Sequence, residues 1–191
     1  LDIIPNYDGH KDFLPESGSK EVVALLPGSR KQEIATMLPI MLEIVQSFPE
    51  MLFVVAAAPG IEDQFYEEYL KKVNTTIVRG QTYDLFKKAK AALVTSGTAT
   101  LEAGLFRVPT IVCYKGSSIS YQIARRLIKV KYISLVNLIL DRPFFTELIQ
   151  KDLNPENLKI QLKDILVNLD QYRPGFDELY EKLGGEGASE R

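Results

Sequence analysis

The chain has 191 residues, of which 46% are hydrophobic and 25% charged, a composition typical of a globular protein with one sizeable core. Its net charge of −2 argues against a nucleic-acid partner, and no apolar run reaches the length of a membrane span. The single cysteine, Cys113, excludes an intrachain disulfide and a cysteine-based zinc cluster.

Between residues 22 and 114, short apolar runs rich in β-branched residues alternate with helical patterns. Strands are predicted at residues 22–26, 52–56, 76–78, 91–95 and 110–114, and helices between them at 31–48, 61–73, 83–89 and 98–106. This alternation predicts an α/β, Rossmann-like fold, in which helices cover both faces of a parallel sheet.

After residue 114 the pattern becomes mainly helical. Helices are predicted at 119–130, 143–150, 155–168 and 171–183, and the apolar stretch 132–140 is predicted to be irregular. We expect Leu162, Ile165 and Leu169 in these C-terminal helices to be exposed and to pack on another domain or a second subunit.

Two turns in the chain carry the pattern of an anion site. Leu-Leu-Pro-Gly-Ser-Arg at 25–30 and Ser-Gly-Thr-Ala-Thr-Leu-Glu at 96–102 each follow a predicted strand and open a predicted helix. The start of a helix presents free N–H groups and the positive end of the helix dipole to an anion. Two such turns in one α/β domain predict a phosphate site for a nucleotide or a nucleotide-sugar.

Side chains in both turns suit that ligand. Gly28 allows the backbone to approach a ligand, Ser29 can cap the helix or donate to phosphate, and Arg30 can bind phosphate oxygens through its fork of N–H groups. Thr98 can cap the second helix, and Glu102 can accept hydrogen bonds from two ribose hydroxyls. The alternative for each turn alone is an ordinary helix start without a ligand.

Several motifs are missing from the sequence. There is no Gly-x-Gly-x-x-Gly, no P-loop motif, and no Asp-x-Asp that would hold a divalent metal against a diphosphate. We therefore expect no cofactor and no metal site. The only histidine, His10, lies in the polar first segment, so no Ser–His pair and no general base can be assigned.

Four blocks of the sequence resemble the bacterial lipid-A-disaccharide synthase family. They are residues 25–30 followed by Glu33, residues 96–102, the stretch from Val108-Pro109 to Tyr114-Lys115, and residues 132–138. The resemblance covers about residues 22–151. Lys115 stands at a position where this family has Arg as often as Lys.

The resemblance implies the donor-binding half of a two-domain glycosyltransferase of the GT-B type. Such an enzyme transfers 2,3-diacylglucosamine from UDP-2,3-diacylglucosamine to 2,3-diacylglucosamine 1-phosphate and releases UDP. The implied donor-site residues are Gly28, Ser29, Arg30, Ser96, Gly97, Thr98, Glu102, Tyr114 and Asn137. Of these, Ser29 and Arg30 would contact the diphosphate and Glu102 the ribose, while Tyr114 and Asn137 would line the pocket. The catalytic base would belong to an N-terminal domain.

The domain expectations follow from this resemblance. Because the chain starts with Leu1 in a polar stretch, residues 1–19 are expected to be an interdomain linker or a truncated start. Residues 20–168 would form the UDP-sugar-binding domain, and residues 169–191 a C-terminal helix with a flexible, glycine-rich tail. The partners implied are the chain's own N-terminal domain and a second copy in a homodimer.

A basic segment interleaved with aliphatic residues contains Arg125, Arg126, Lys129 and Lys131. Such a segment can contact lipid phosphate or an anionic membrane, or it can be a surface helix whose cations extend into solvent. With acylated substrates, the first alternative implies a cytoplasmic protein at the surface of the inner membrane.

Two other functions remain open at the level of the sequence. A UDP-sugar epimerase has a similar half-domain and would also bind UDP. A non-catalytic nucleotide-binding module would bind UDP without any reaction.

Overall fold

The computed structural model describes residues 20–71, 73, 75–116 and 131–184, and in these ranges it contains one six-stranded sheet. The strands are β1 Glu21–Leu26, β2 Met51–Ala57, β3 Thr76–Arg79, β4 Ala89–Thr95, β5 Thr110–Tyr114 and β6 Thr146–Ile149. Their order across the sheet is β3-β2-β1-β4-β5-β6, and every neighbouring pair is parallel.

Seven α-helices accompany the sheet in the described residues. They are α1 Lys31–Leu42, α2 Asp63–Leu70, α3 Thr82–Lys88, α4 Thr98–Leu105, α5 Leu135–Leu140, α6 Pro155–Val167 and α7 Arg173–Lys182. Short 3-10 turns lie at Val45–Ser47, Gln150–Asp152 and Leu169–Tyr172. The predicted Rossmann-like α/β architecture and its first five strands are confirmed.

Alternate residues of β1 face two hydrophobic clusters on opposite sides of the sheet. Val23 and Leu25 belong to the cluster that contains residues of α1 and α6, whereas Ala24 packs with Leu85 and Phe86 of α3. Because both faces are covered, the inner strands contain apolar residues at nearly every position. No helix in the described ranges is long and apolar enough to cross a membrane.

The helix predicted at 143–150 is wrong, because this segment contains strand β6. Phe144, Phe145, Leu148 and Ile149 are spaced as on one helix face, but Thr146–Ile149 pairs in parallel with β5 instead. The apolar stretch 132–140, predicted to be irregular, contains helix α5. The helix predicted at 119–130 lies outside the described residues.

The expected exposure of the C-terminal helices is also wrong for their central residues. Leu162 and Ile165 are buried, at 0% and 1% exposure, because α6 packs against β4, β5 and β6. Leu169 is half-buried, and α7 packs against α4 and α5. The large apolar residues exposed on α6 are instead Ile160 and Val167.

A truncation at Leu162 tests this packing. Leu162→Ala should lower the free energy of unfolding by about 2–5 kcal/mol, because it leaves a cavity between α6 and the sheet. Val167→Ala is the matched control on the same helix, where the side chain is 74% exposed. It should change stability by less than about 0.5 kcal/mol. Urea denaturation measures both, and equal effects would contradict the packing described here.

Candidate functional site

The candidate site lies where the strand order of the sheet reverses. From β1 the chain moves outward to β2 and β3, and it then returns to place β4 on the other side of β1. In open parallel sheets the loops at this point diverge and leave a crevice at the carboxyl ends of the strands. A groove of about 290 Å³ opens there, between the ends of β1, β2 and β4 and the starts of α1, α3 and α4.

The groove brings together most of the predicted donor-site residues. Its lining consists of Leu26, Gly28, Ser29, Arg30, Glu33, Ala56, Ala57, Ala58, Pro59, Thr82, Thr95, Ser96, Gly97, Thr98, Ala99 and Glu102. Seven of the nine residues predicted for the donor site are in this set; the other two are Tyr114 and Asn137.

The turn after β1 is built around the side chain of Glu33. Gly28 has φ of +122°, and a Cβ added to it would lie 2.7 Å from the Cβ of Glu33. The backbone N–H groups of Ser29 and Arg30 donate to Oε2 of Glu33 at 3.0 and 3.3 Å. Arg30, rather than Ser29, is the N-cap of α1.

The Arg30 guanidinium is available to a ligand. Its Nη1 lies 3.5 Å from Oε1 of Glu33, yet the side chain remains 82% exposed. A loose ion pair of this kind, in contact with solvent, contributes little to stability. The guanidinium can therefore turn toward an anion in the groove.

The turn after β4 uses Ser96 to connect two parts of the fold. The Ser96 N–H donates to the carbonyl of Cys113 at 3.0 Å, and its hydroxyl donates to the carbonyl of Ile133 at 3.0 Å. With both donors used, Ser96 can only accept from a ligand. The N–H groups of Thr98 and Ala99 open α4 without an acceptor in the helix, so they remain the anion donors of this turn.

Glu102 lies one turn into α4, where it lines the groove in a half-buried position. Burial raises the pKa of its carboxyl above the usual value for glutamate. The pKa of nearby Tyr83 is raised as well, first by burial and then by the negative charge of Glu102. An ionised carboxylate in this wall gains from hydroxyl donors such as those of a ribose.

Thr95, the last residue of β4, lines the groove and was missed by the sequence analysis. It is 9% exposed, and its hydroxyl has no hydrogen-bond partner among the residues that the structure describes. Its only signal in the sequence is a polar residue that ends an apolar strand just before the second turn. An unpaired buried hydroxyl lowers the stability of a fold, and such groups are typical of functional sites.

Asn137 does not line the groove as predicted, because it is fully buried. Its Nδ2 donates to the carbonyl of Phe145 at 2.8 Å and to Oε1 of Glu147 at 3.0 Å. Its Oδ1 accepts the Phe145 N–H at 2.7 Å. Asn137 therefore connects α5 to β6 and has no exposed atom for a ligand. Tyr114 ends β5 with its hydroxyl beside Gly116 and is not among the groove-lining residues.

Of the predicted lipid-contact residues, only Lys131 lies in the described ranges; Arg125, Arg126 and Lys129 lie outside them. The Lys131 ammonium donates to Asp141 at 3.2 Å, which raises its pKa, and it lies 5.1 Å from the centre of the Tyr132 ring. Among the described residues, no three or more His, Cys, Asp or Glu side chains are grouped to hold a metal ion.

A substitution at Asn137 separates a structural role from ligand contact. Asn137→Ala leaves the Phe145 N–H and carbonyl without partners and should lower the free energy of unfolding by at least about 1–3 kcal/mol. Asn168→Ala is the control, since the exposed Asn168 amide donates only to Asp164. Chemical denaturation measures both. A loss of nucleotide affinity without a loss of stability would show that Asn137 contacts the ligand and would contradict its structural role.

The raised pKa of Glu102 predicts how stability depends on pH. A carboxyl whose pKa is raised on folding stabilises the fold only when protonated, and this contribution is lost as the pH rises through the folded-state value. Glu102→Gln should therefore raise stability at neutral pH, and the gain should vanish below about pH 4, near the unfolded-state pKa.

The matched control for Glu102→Gln should change stability at neutral pH in the opposite direction. Glu178→Gln should lower stability at neutral pH, because a hydrogen bond from Arg142 lowers the pKa of Glu178. Thermal melts across this pH range measure both variants. A change in stability in the same direction for both variants would contradict the environment described for Glu102.

Comparison with known proteins connects this chain to one family. The family model for lipid-A-disaccharide synthetase matches residues 5–182. A lipid-A-disaccharide synthase of Syntrophus aciditrophicus is 37% identical over 204 residues, which cover 100% of this chain and 53% of that protein. A lipid-A-disaccharide synthase of Anaeromyxobacter dehalogenans is 37% identical over 166 residues, which cover 83% of this chain and 43% of that protein. The chain thus spans about half the length of these curated relatives.

Solved structures with low sequence identity share the fold. The spinosyn rhamnosyltransferase SpnG in complex with thymidine diphosphate has a TM-score of 0.60 at 13% identity, covering 96% of this chain and 48% of that one. A Listeria monocytogenes protein assigned as a UDP-N-acetylglucosamine 2-epimerase has a TM-score of 0.57 at 15% identity. The match covers 91% of this chain and 42% of that one. Fold alone does not separate a transferase from an epimerase, whereas the family match and the identities do: the chain belongs to the lipid-A-disaccharide synthase family.

Proposed function

We propose that the chain is the donor-binding half of a glycosyltransferase that makes lipid A disaccharide 1-phosphate. The reaction transfers 2,3-diacylglucosamine from UDP to 2,3-diacylglucosamine 1-phosphate and releases UDP. The observation that carries the proposal is the pair of helix N-termini, α1 and α4, that meet at one groove together with Arg30 and Glu102. The family membership and the names of the matching relatives support the choice of substrates.

The groove would bind the UDP part of the donor. The N–H groups of Ser29, Arg30, Thr98 and Ala99 and the Arg30 guanidinium would bind the diphosphate. Glu102 would accept hydrogen bonds from the ribose hydroxyls, and the alanines at the end of β2 provide an apolar wall. This division follows the chemistry of each group, since anions need donors and hydroxyls can donate to a carboxylate.

The same groups would stabilise the leaving group. As the acceptor hydroxyl oxygen bonds to the anomeric carbon, the bond from that carbon to the β-phosphate oxygen breaks and negative charge grows on the diphosphate. Fixed N–H groups and a guanidinium at that position lower the barrier because they need no reorganisation during the reaction. The proton of the acceptor hydroxyl passes to a base that we place on a facing N-terminal domain.

The remaining partners are part of the same proposal. An acceptor site needs a second wall, which a facing N-terminal domain would supply across the groove. A homodimer and a location at the cytoplasmic surface of the inner membrane also remain proposals. Support for the latter comes from the basic segment 125–131 and the acylated substrates.

Two variants test the assignment of the groove by calorimetry with UDP and inorganic pyrophosphate. Arg30→Ala should weaken the binding of both ligands by about 1.5–3 kcal/mol, which is the contribution of a charge-assisted hydrogen bond. Glu102→Ala should weaken the binding of UDP but not that of pyrophosphate, because the only favourable contacts it removes are those to the ribose.

The control is Arg107→Ala, since Arg107 pairs with Asp177 and does not line the groove. It should leave both affinities unchanged. An equal loss of both ligands in Glu102→Ala would refute the ribose assignment. An unchanged affinity in Arg30→Ala would place that guanidinium in solvent.

A further inference from the structure

The carboxylate of Glu33 occupies the position that an anion would take at the start of α1. One oxygen, Oε2, accepts the N–H groups of both Ser29 and Arg30, at 3.0 and 3.3 Å. These are the donors that the proposed function assigns to the diphosphate. We propose that Glu33 is an internal anion that competes with the diphosphate of the donor for these N–H groups and so limits nucleotide affinity and promotes release of UDP. This inference rests on the proposed function.

The turn is shaped to admit the Glu33 side chain. A Cβ at Gly28 would lie 2.7 Å from Cβ and 2.9 Å from Oε2 of Glu33, so only glycine leaves room for the carboxylate below the turn. The positive φ of Gly28, +122°, directs the following N–H groups toward that carboxylate.

A diphosphate and the Glu33 carboxylate cannot use the same donors together. Each N–H group has one proton, and both point at Oε2. Two anions at this distance also repel each other, and Arg30 is the only guanidinium among the groove-lining residues. Binding of the diphosphate therefore requires the Glu33 side chain to leave, after which Arg30 can pair with phosphate instead.

An independent observation supports a ligand in this groove. Thr95 lines it and is more than nine-tenths buried, and its hydroxyl has no partner in the described part of the chain. A polar ligand would supply the missing partner. The groove thus contains two donors already taken by an internal anion and one buried hydroxyl that still lacks a bond.

The alternative role for Glu33 is a helix cap that holds the turn in its binding shape. Glu33 supplies one half of a capping box, because its carboxylate accepts the N–H of the N-cap residue Arg30. The reciprocal half is missing, since the Arg30 side chain has no acceptor atom. The two roles predict opposite effects. Neutralising a competitor strengthens anion binding, whereas weakening a scaffold reduces it.

The experiment compares the chain with Glu33→Gln and Glu62→Gln by calorimetry, using UDP and inorganic pyrophosphate as ligands. Glu62 is the matched control because it pairs with Lys31 at 2.9 Å, close to the same helix, but does not line the groove. Glu33→Gln should bind both ligands about five- to tenfold more tightly, since a neutral amide accepts hydrogen bonds less strongly than a carboxylate. Its release of UDP in stopped-flow measurements should slow by a similar factor. Glu62→Gln should stay within about twofold of the parent chain.

Each other outcome decides between the two proposals. If the parent chain binds UDP and Glu33→Gln binds it equally or more weakly, the competition is refuted and the donor site stands. An equal gain in Glu62→Gln would show a general effect of charge and would also refute it. If neither the parent chain nor Glu33→Gln binds UDP or pyrophosphate, both proposals fail.

A second measurement uses the unmodified sequence and decides the question even if Glu33→Gln does not fold. With ¹³C-labelled glutamate and ¹⁵N-labelled backbone, pyrophosphate should shift the Ser29 and Arg30 amides and the Glu33 carboxyl carbon together. The Glu62 carboxyl carbon is the internal control and should not move. Shifted amides with an unchanged Glu33 carboxyl would show that the carboxylate stays in place, which refutes the competition.

Discussion

The fold depends on one constraint: β1 and β4 lie side by side and parallel, while their following helices pack on opposite faces of the sheet. Parallel strands end at the same edge, so the two turns after them meet there, and divergence of the helices leaves space between them. The burial of α1 in one cluster and of Ala103 of α4 in the other fixes this arrangement. The groove is therefore a consequence of core packing rather than of the loops themselves.

The C-terminal part of the described chain supports the same edge from the side. Glu147 on β6 accepts the N–H groups of Ile133 and Ser134, and Asn137 holds Glu147 in turn. This network fixes the Ile133 carbonyl that receives the Ser96 hydroxyl. Residues about forty positions later in the chain therefore hold the turn after β4 in place through Ser96, which also lines the groove.

The sequence predicted the first five strands because their apolar runs and the glycine-containing turns are local signals. It failed at β6, where the spacing of Phe144, Phe145, Leu148 and Ile149 suits a helix and only pairing with β5 decides otherwise. The seven groove residues were predictable since they lie in two short motifs. Asn137 was misplaced because burial by Phe145 and Glu147 depends on tertiary contacts, and Thr95 was missed because a strand end gives no signal of an unpaired hydroxyl.

The groove accepts local costs that the core offsets. Burial raises the pKa of the Glu102 carboxyl, and Thr95 keeps an unpaired buried hydroxyl. A partly buried carboxylate and an unpaired buried hydroxyl each cost stability in the protein alone, and ligand hydroxyls beside Glu102 would offset the first of these costs. The turn at Glu33 differs, because its N–H groups are already satisfied. Under the proposed competition, Glu33 would favour exchange of a diphosphate over tight binding, which suits the release of UDP in the proposed reaction.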